Sequence, residues 1–274
     1  MDMPPRPIRL VWAGLLVVLH LLPPPVSHAQ KITSLSEAEL REITDRGRML
    51  AEYDAAAWHA SDAVMTLKPE TKNLGRYIAK KTDSGWVVAF GQLSEPKDKF
   101  LIAYEATQGT DPSQFPVEKL DPLKEDTGFF LFAARSIEVA LAAFQAQKRP
   151  YNVAVLPASS NQMYLYIVPA PTVAGAYPYG GDVRYLMTAD GSAIVEKRQL
   201  HKTILEYKAP QKDAKGWSPE GGMHTHVLSN IPEDTDVFYV LSRRPRLPEV
   251  VVTDYFLYVI GTNGTIEEKP WKHK

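Results

Sequence analysis

The stretch DTGFFLFAARSIEVALAAFQAQKRPYNVAVL, residues 126–156, changes its period part-way along. Phe129, Phe132, Ala133, Ser136, Ile137, Ala140, Leu141 and Phe144 recur three and four residues apart, which is the spacing of one apolar helix face. Asp126-Thr127 opens this pattern and Lys148-Arg149-Pro150 stops it, so the spacing predicts a helix over 128–147. Tyr151 to Leu156 then reads as a strand rich in β-formers. A helix with so continuous an apolar face needs a sheet to cover it, and the residues that follow supply one.

Working towards the C-terminus, Met163–Val168, Asp182–Met187 and Ala193–Leu205 read as strands, with turns at Ser159-Ser160-Asn161 and Asp190-Gly191. Met223–Leu228 reads as a further strand, Asp234–Ser242 as a short helix closed by Arg243-Arg244-Pro245, and Val250–Thr253, Phe256–Ile260 and Thr265–Glu268 as closing strands. Working towards the N-terminus, Ser36 and Glu39 have the spacing of a capping box that opens a helix over about 36–64. Its stripe of Leu40, Ile43, Gly47, Leu50, Asp54 and Ala57 is poor in apolar volume, which predicts a surface helix or one packed on a small sheet. Arg76–Lys80, Gly85–Phe90 and Phe100–Ala106 read as a three-stranded meander, and Gly109–Pro122, with three prolines, reads as a linker or long loop. The order of elements makes the chain α+β.

The first residues carry Arg6 and Arg9 and lead into an apolar run, Leu10 to Leu22, too short to cross a membrane as a helix. Ser27-His28-Ala29 places small residues before Gln30, so residues 1–29 are expected to be a cleaved signal peptide and the protein to be exported, periplasmic or secreted. The expected organisation is therefore a signal at 1–29, a helix-and-meander region at 30–122, and an α+β domain at 123–274. Without residues 1–29 the chain has 29 basic and 31 acidic residues, a balance that argues against nucleic acid as a partner. No membrane span is expected in the mature chain. There is no cysteine, so thiolate catalysis, thiolate metal sites and disulfides are excluded.

The chemistry-bearing residues lie at 224–236. If Met223–Leu228 is a strand, His224 and His226 point to one face, about 6.5 to 7 Å apart along the backbone, near enough for two imidazoles to converge on one ion. Asp236, or Asp234, at the start of the next helix can add a carboxylate, and such a nitrogen and oxygen set suits zinc. The metal ligands expected are therefore His224, His226 and Asp236. His201 is a reserve ligand, with an exposed or hydrogen-bonded strand histidine as its plainer reading. The plainer reading of Asp234 to Asp236 is a helix cap beside the positive end of the helix. Ser229 lies near His226, yet no G-x-S-x-G elbow surrounds any serine, so serine catalysis is not expected. Tyr164, Tyr166, Tyr177, Tyr179 and Tyr185 crowd one region and either pack a sheet or line a sugar or peptide groove.

HTHVLSNIPEDTDVFYVL, at 224–241, together with PEVVVTDYFLYVI and the turn GTNG, resembles the JAMM (MPN) metalloprotease-like fold over about residues 126–268. The resemblance implies zinc on His224, His226 and Asp236, with a glutamate base from an earlier strand and a serine at the oxyanion. In this chain Val227 stands where the family has proline and Glu233 where it has the serine. The His226 to Asp236 spacing is shorter than the family's, and Tyr151–Leu156 contains no acid. Asp182, Glu196 and Glu206 are the remaining candidates for the base, and spacing does not choose among them. The expectation is a non-catalytic or weakly active relative that serves as a binding or structural domain for a peptide or protein partner. The alternative is a zinc-dependent amide or isopeptide hydrolase of the cell envelope.

Overall fold

The computed structural model describes residues 34–208 other than 71 and 73, residue 216, and residues 218–271. The expected signal peptide, residues 1–29, lies outside the described residues. Among the described residues no helix is long and apolar enough to cross a membrane.

Helix α1, Glu37–Thr66, starts at the expected capping box: the Ser36 hydroxyl accepts from Glu39 N at 3.3 Å and the Glu39 carboxylate accepts from Ser36 N at 2.8 Å. Strands β1 (Arg76–Thr82), β2 (Gly85–Leu93) and β3 (Phe100–Thr107) form the expected antiparallel meander. The meander has a fourth strand, β4 (Val117–Asp126), where a linker was expected through Pro122. Its prolines are compatible with a strand because β4 is at the sheet edge. Pro116 precedes it, and Pro122 lies in a bulge between the pairs Ile102 with Lys124 and Tyr104 with Lys119. The expected division at 122/123 thus falls inside a strand, and Ser34–Lys274 forms one compact unit.

Helix α2, Phe129–Ala143, ends four residues before the expected Gln147. Phe144 turns to extended backbone and sets its ring edge-on against Tyr151, 4.9 Å between centroids, a contact that one more helical turn would forfeit. A second antiparallel sheet follows, in the order β5 (Tyr151–Pro157), β6 (Met163–Pro169), β8 (Val183–Met187), β9 (Ile194–Gln199). The strand expected over 193–205 breaks after Gln199 and resumes as β10 (Leu205–Lys208), which pairs with the unexpected β7 (Ala176–Tyr179). The third sheet is β11 (Gly222–Thr225), β12 (Glu249–Val252), β13 (Phe256–Ile260) and β14 (Ile266–Pro270), parallel only between β11 and β12. Helix α3 covers Asp234–Ser242 as expected. The molecule is α+β with mostly antiparallel sheets.

Alternate residues of the first two sheets go to opposite cores. Ala79, Val88, Phe90, Ala154, Leu156 and Tyr166 pack with α1, whereas Ile78, Ala89, Ile102, Val155, Leu165 and Ile167 pack with α2. Both sheets are therefore covered on both faces, and α1 is a core helix packed on a sheet, the second of the two readings its weak stripe allowed: Leu50, Tyr53, Ala56, Ala60 and Val64 are buried. Burial of each large apolar side chain contributes about 1.5–3 kcal/mol. A third core joins Ile43 of α1 to Val237, Val240, Val251, Tyr258 and Ile260.

Gly47 explains how α1 and α3 meet. A Cβ at this position would lie 2.5 Å from the Asp234 carbonyl oxygen and 2.5 Å from Val237 Cβ, so only glycine lets the helices come this close. The contact fixes the N-terminus of α3, where the candidate site begins.

Candidate metal centre

His224 sits on β11, and His226 lies just past its end with its N–H still donating to Val252 O at 2.8 Å. The main-chain pairing with β12 keeps the two rings on one side, as the H-x-H spacing predicts. Asp236 is the third residue of α3, held by its own cap: Glu233 N donates to Asp236 Oδ2 at 2.6 Å. His201 comes from the break between β9 and β10. It is reached by a turn at Gly180 and Gly181, whose φ of 82° and 68° favour glycine. Side chains there would also collide, since a Cβ on Gly180 would be 2.3 Å from Thr203 O and one on Gly181 2.2 Å from Ile204 Cγ1. The paired glycines let residues 179–182 press directly on the His201 loop.

His201, His224, His226 and Asp236 each offer a ligand atom, all within 4.8 Å of one another and all buried. The three expected ligands come together, and His201, the reserve, is the fourth. Asp234, the alternative carboxylate, points elsewhere: it accepts from Arg46 Nε at 2.9 Å, Tyr166 OH at 2.7 Å and Arg184 Nη1 at 2.6 Å. Asp182 holds His201 from behind, while Glu196 is exposed on β9 and Glu206 pairs with Arg149 at 2.7 Å. Ser229 donates to Ile231 O and Glu233 Oε1, at 3.0 and 2.8 Å, as a loop brace.

Each imidazole is oriented from its far side. His201 Nδ1 is 2.7 Å from Asp182 Oδ1, His224 Nδ1 is 3.0 Å from Glu249 Oε1, and His226 Nδ1 is 2.8 Å from Ile231 O. A carbonyl or carboxylate only accepts, so each Nδ1 carries a proton, and a ring that is neutral turns a bare Nε2 inward. Those inward atoms are close: His201 Nε2 is 3.0 Å from His226 Nε2 and 3.0 Å from Asp236 Oδ1. His224 Nε2 is 3.4 Å from Asp236 Oδ1, and His226 Nε2 is 3.3 Å from Asp236 Oδ2. Tyr179 hydroxyl donates to Asp236, with His224 Nε2 at 2.5 Å and His201 Nε2 at 3.0 Å, so Asp236 accepts from this hydroxyl as well as from Glu233 N. When the rings are neutral, three lone pairs and a carboxylate converge here, and a cation, either a proton on an imidazole or a metal ion, relieves their repulsion.

Without a metal, the surrounding acids favour protonation of the rings. Burial alone would lower the His201 pKa, but Asp182 and Asp236 override it and hold it well above the usual imidazole value. His224 is likewise raised, burial being outweighed by Asp236 and Glu249. Burial would raise Asp236, yet His201 and His226 hold it well below the carboxylate range. Of the nearby acids, Glu249 is matched by fully buried Arg243, whose Nη1 donates to Glu249 Oε2 at 2.9 Å. Asp182 and Asp236 have no guanidinium or ammonium partner among the described residues; both face His201.

The donor set is that of a metal site in chemistry as well as geometry: three imidazole nitrogens and one carboxylate, with each imidazole anchored through its other nitrogen. This buried group could hold a metal ion. Reasoning from the sequence missed Glu249 and Tyr179; the first sits in a strand otherwise read as apolar, and the second was one tyrosine in a crowd. No protein-family model, curated protein or solved structure matches the chain.

Proposed function

We propose that this is an exported domain whose His201, His224, His226 and Asp236 hold one divalent ion, zinc by its ligand chemistry, in a structural rather than catalytic role. The observation that carries the reading is the count of donors. Four protein ligands complete the tetrahedral coordination of a structural zinc, whereas a catalytic zinc keeps a position open for water. In the JAMM arrangement that the sequence resembles, two histidines and an aspartate leave that position for water, and His201 fills it here. Tyr179 lies against the same donors and excludes solvent further.

The ion ties the His201 loop, the end of β11 and the first turn of α3 into one knot. An exported chain without cysteine has no disulfide with which to make such a link. The hydrolase alternative lacks support at its central point: Glu249 stands behind His224 and is occupied by Arg243, so no carboxylate is poised beside an open ligand position among the described residues.

Elemental analysis of protein purified without chelator tests the reading, with one zinc per chain expected. X-ray absorption at the zinc edge then counts ligands, and three imidazoles with one carboxylate are expected. A bound water replacing one imidazole, together with cleavage of peptide or isopeptide substrates that is lost in His224→Ala, would overturn the structural role in favour of hydrolysis.

A further inference from the structure

A cavity of about 770 Å³ is walled by α1, the C-terminal end of α3 and the 263 turn, with Tyr77 of β1 and Asn152 of β5 also lining it. Its volume is in the range of small-ligand sites, and its wall contains unmatched charges of both signs. Asp54 is partly buried in it; among the described residues its one hydrogen bond is a long one, 3.4 Å from Asn152 Nδ2, and no cation pairs with it. Burial raises the Asp54 pKa to about 6, as expected for a carboxylate without a cationic partner.

Elsewhere on the wall, Arg244 and Arg246 have no acid partner among the described residues. Both are clipped to the end of α3, Arg244 Nη1 donating to Leu241 O at 2.8 Å and Arg246 Nε to the same oxygen at 3.0 Å. Both side chains are exposed at the cavity wall, and these bonds tether them with N–H groups to spare. Trp58, 63% exposed, and Tyr177 supply aromatic surface.

We infer that this cavity binds a short zwitterionic peptide, its ammonium end on Asp54 and Asn152, its carboxylate end on Arg244 and Arg246, and an apolar side chain over Trp58. A part-buried carboxylate and tethered guanidiniums in one cavity recognise a ligand that carries the opposite charges at its two ends; a purely anionic or purely cationic ligand leaves one of these groups unmatched. The aromatic wall favours a peptide body over a smaller dipolar solute. The inference does not depend on the metal, since none of the four candidate ligands lines the cavity.

Isothermal titration of the intact chain with the tripeptide Ala-Tyr-Ala tests it, alongside the N-acetylated and the C-amidated forms. The free peptide is expected to bind saturably, and capping either end to weaken it by about tenfold or more. Asp54→Asn should weaken the free peptide by a similar factor while leaving the N-acetylated form unaffected. Arg246→Gln should do the same for the free peptide and spare the amidated form. Thermal melts of both variants establish that they are folded. No saturable heat from folded wild-type protein at about 10 mM peptide would overturn the inference. So would capped forms that bind as well as the free one, or a loss confined to one end.

Discussion

Asp234 and Asp236 stand two residues apart on the first turn of one helix, both buried, yet they are neutralised in different ways. Asp234 meets the permanent cations of Arg46 and Arg184 and a hydrogen bond from Tyr166, so its charge and lone pairs are matched by the protein itself. Asp236 meets His201, His224 and His226, whose inward nitrogens are acceptors when neutral, and hydrogen bonds from the Tyr179 hydroxyl and Glu233 N. The first cluster is complete as it stands. The second has no permanent protein cation among the described residues and could take a metal ion instead. What separates the ion-pair network from the candidate metal centre is thus the kind of partner around the carboxylate, arginines in one and imidazoles in the other, rather than the presence of acids.

The largest expected effect breaks the complete cluster. Asp234→Asn leaves Arg46 and Arg184 without a buried counter-charge and should lower stability by about 3 kcal/mol, measured by chemical denaturation. The same variant should keep its zinc-dependent stabilisation, because Asp234 is no ligand. Asp236→Asn should lose that stabilisation.

Gly47→Ala sharpens the comparison from the scaffold. The added methyl would lie 2.5 Å from Asp234 O and from Val237 Cβ, so α3 must move away from α1. Overpacking of this kind costs about 1–3 kcal/mol, visible as a lower denaturation midpoint. Zinc affinity should fall with it, because the movement carries Asp236 away from the three histidines.

The pH dependence should be smaller and should change sign with metal. Without metal, His201 and His224 are raised above their unfolded values, so their contribution is full below about pH 6.5 and is lost as pH rises through the folded pKa. Asp236 is depressed, so its contribution is present above about pH 3.9 and is lost as pH falls through its folded pKa. With zinc the rings must be unprotonated, so binding strengthens as pH rises through the same range. Melting temperatures taken with chelator and with zinc should therefore diverge from about pH 6.5 upwards.

The two clusters also differ in how far the sequence discloses them. His224, His226 and Asp236 were legible because a strand period and a helix start fix their directions locally. His201 was legible only as a reserve, since its place depends on a strand that breaks at 200 and on the Gly180-Gly181 turn that lets two distant segments touch. The orienting groups Asp182 and Glu249 and the bridging Tyr179 lie 19 to 57 residues from their partners, and no local period carries such pairings. The fold shows the same division. Helix α3 and the meander follow from periodicity, whereas β4 was hidden by prolines that an edge strand tolerates. The weak stripe of α1 allowed a surface helix or one packed on a small sheet, and the second holds, because alanine and glycine fill a core by close approach as well as large residues do by volume.

The most direct test is the thermal stability of metal-free protein with and without zinc. At about one hundred times its dissociation constant, an ion that binds only the folded state stabilises it by about 2.7 kcal/mol. For a chain of this size the melting temperature should rise by about 5 to 11 °C. His201→Ala, His224→Ala and His226→Ala should each lose most of that rise, and a full rise in His201→Ala would return the site to three ligands with an open position. A wild-type melting curve unmoved by zinc, manganese or nickel would contradict the metal centre altogether.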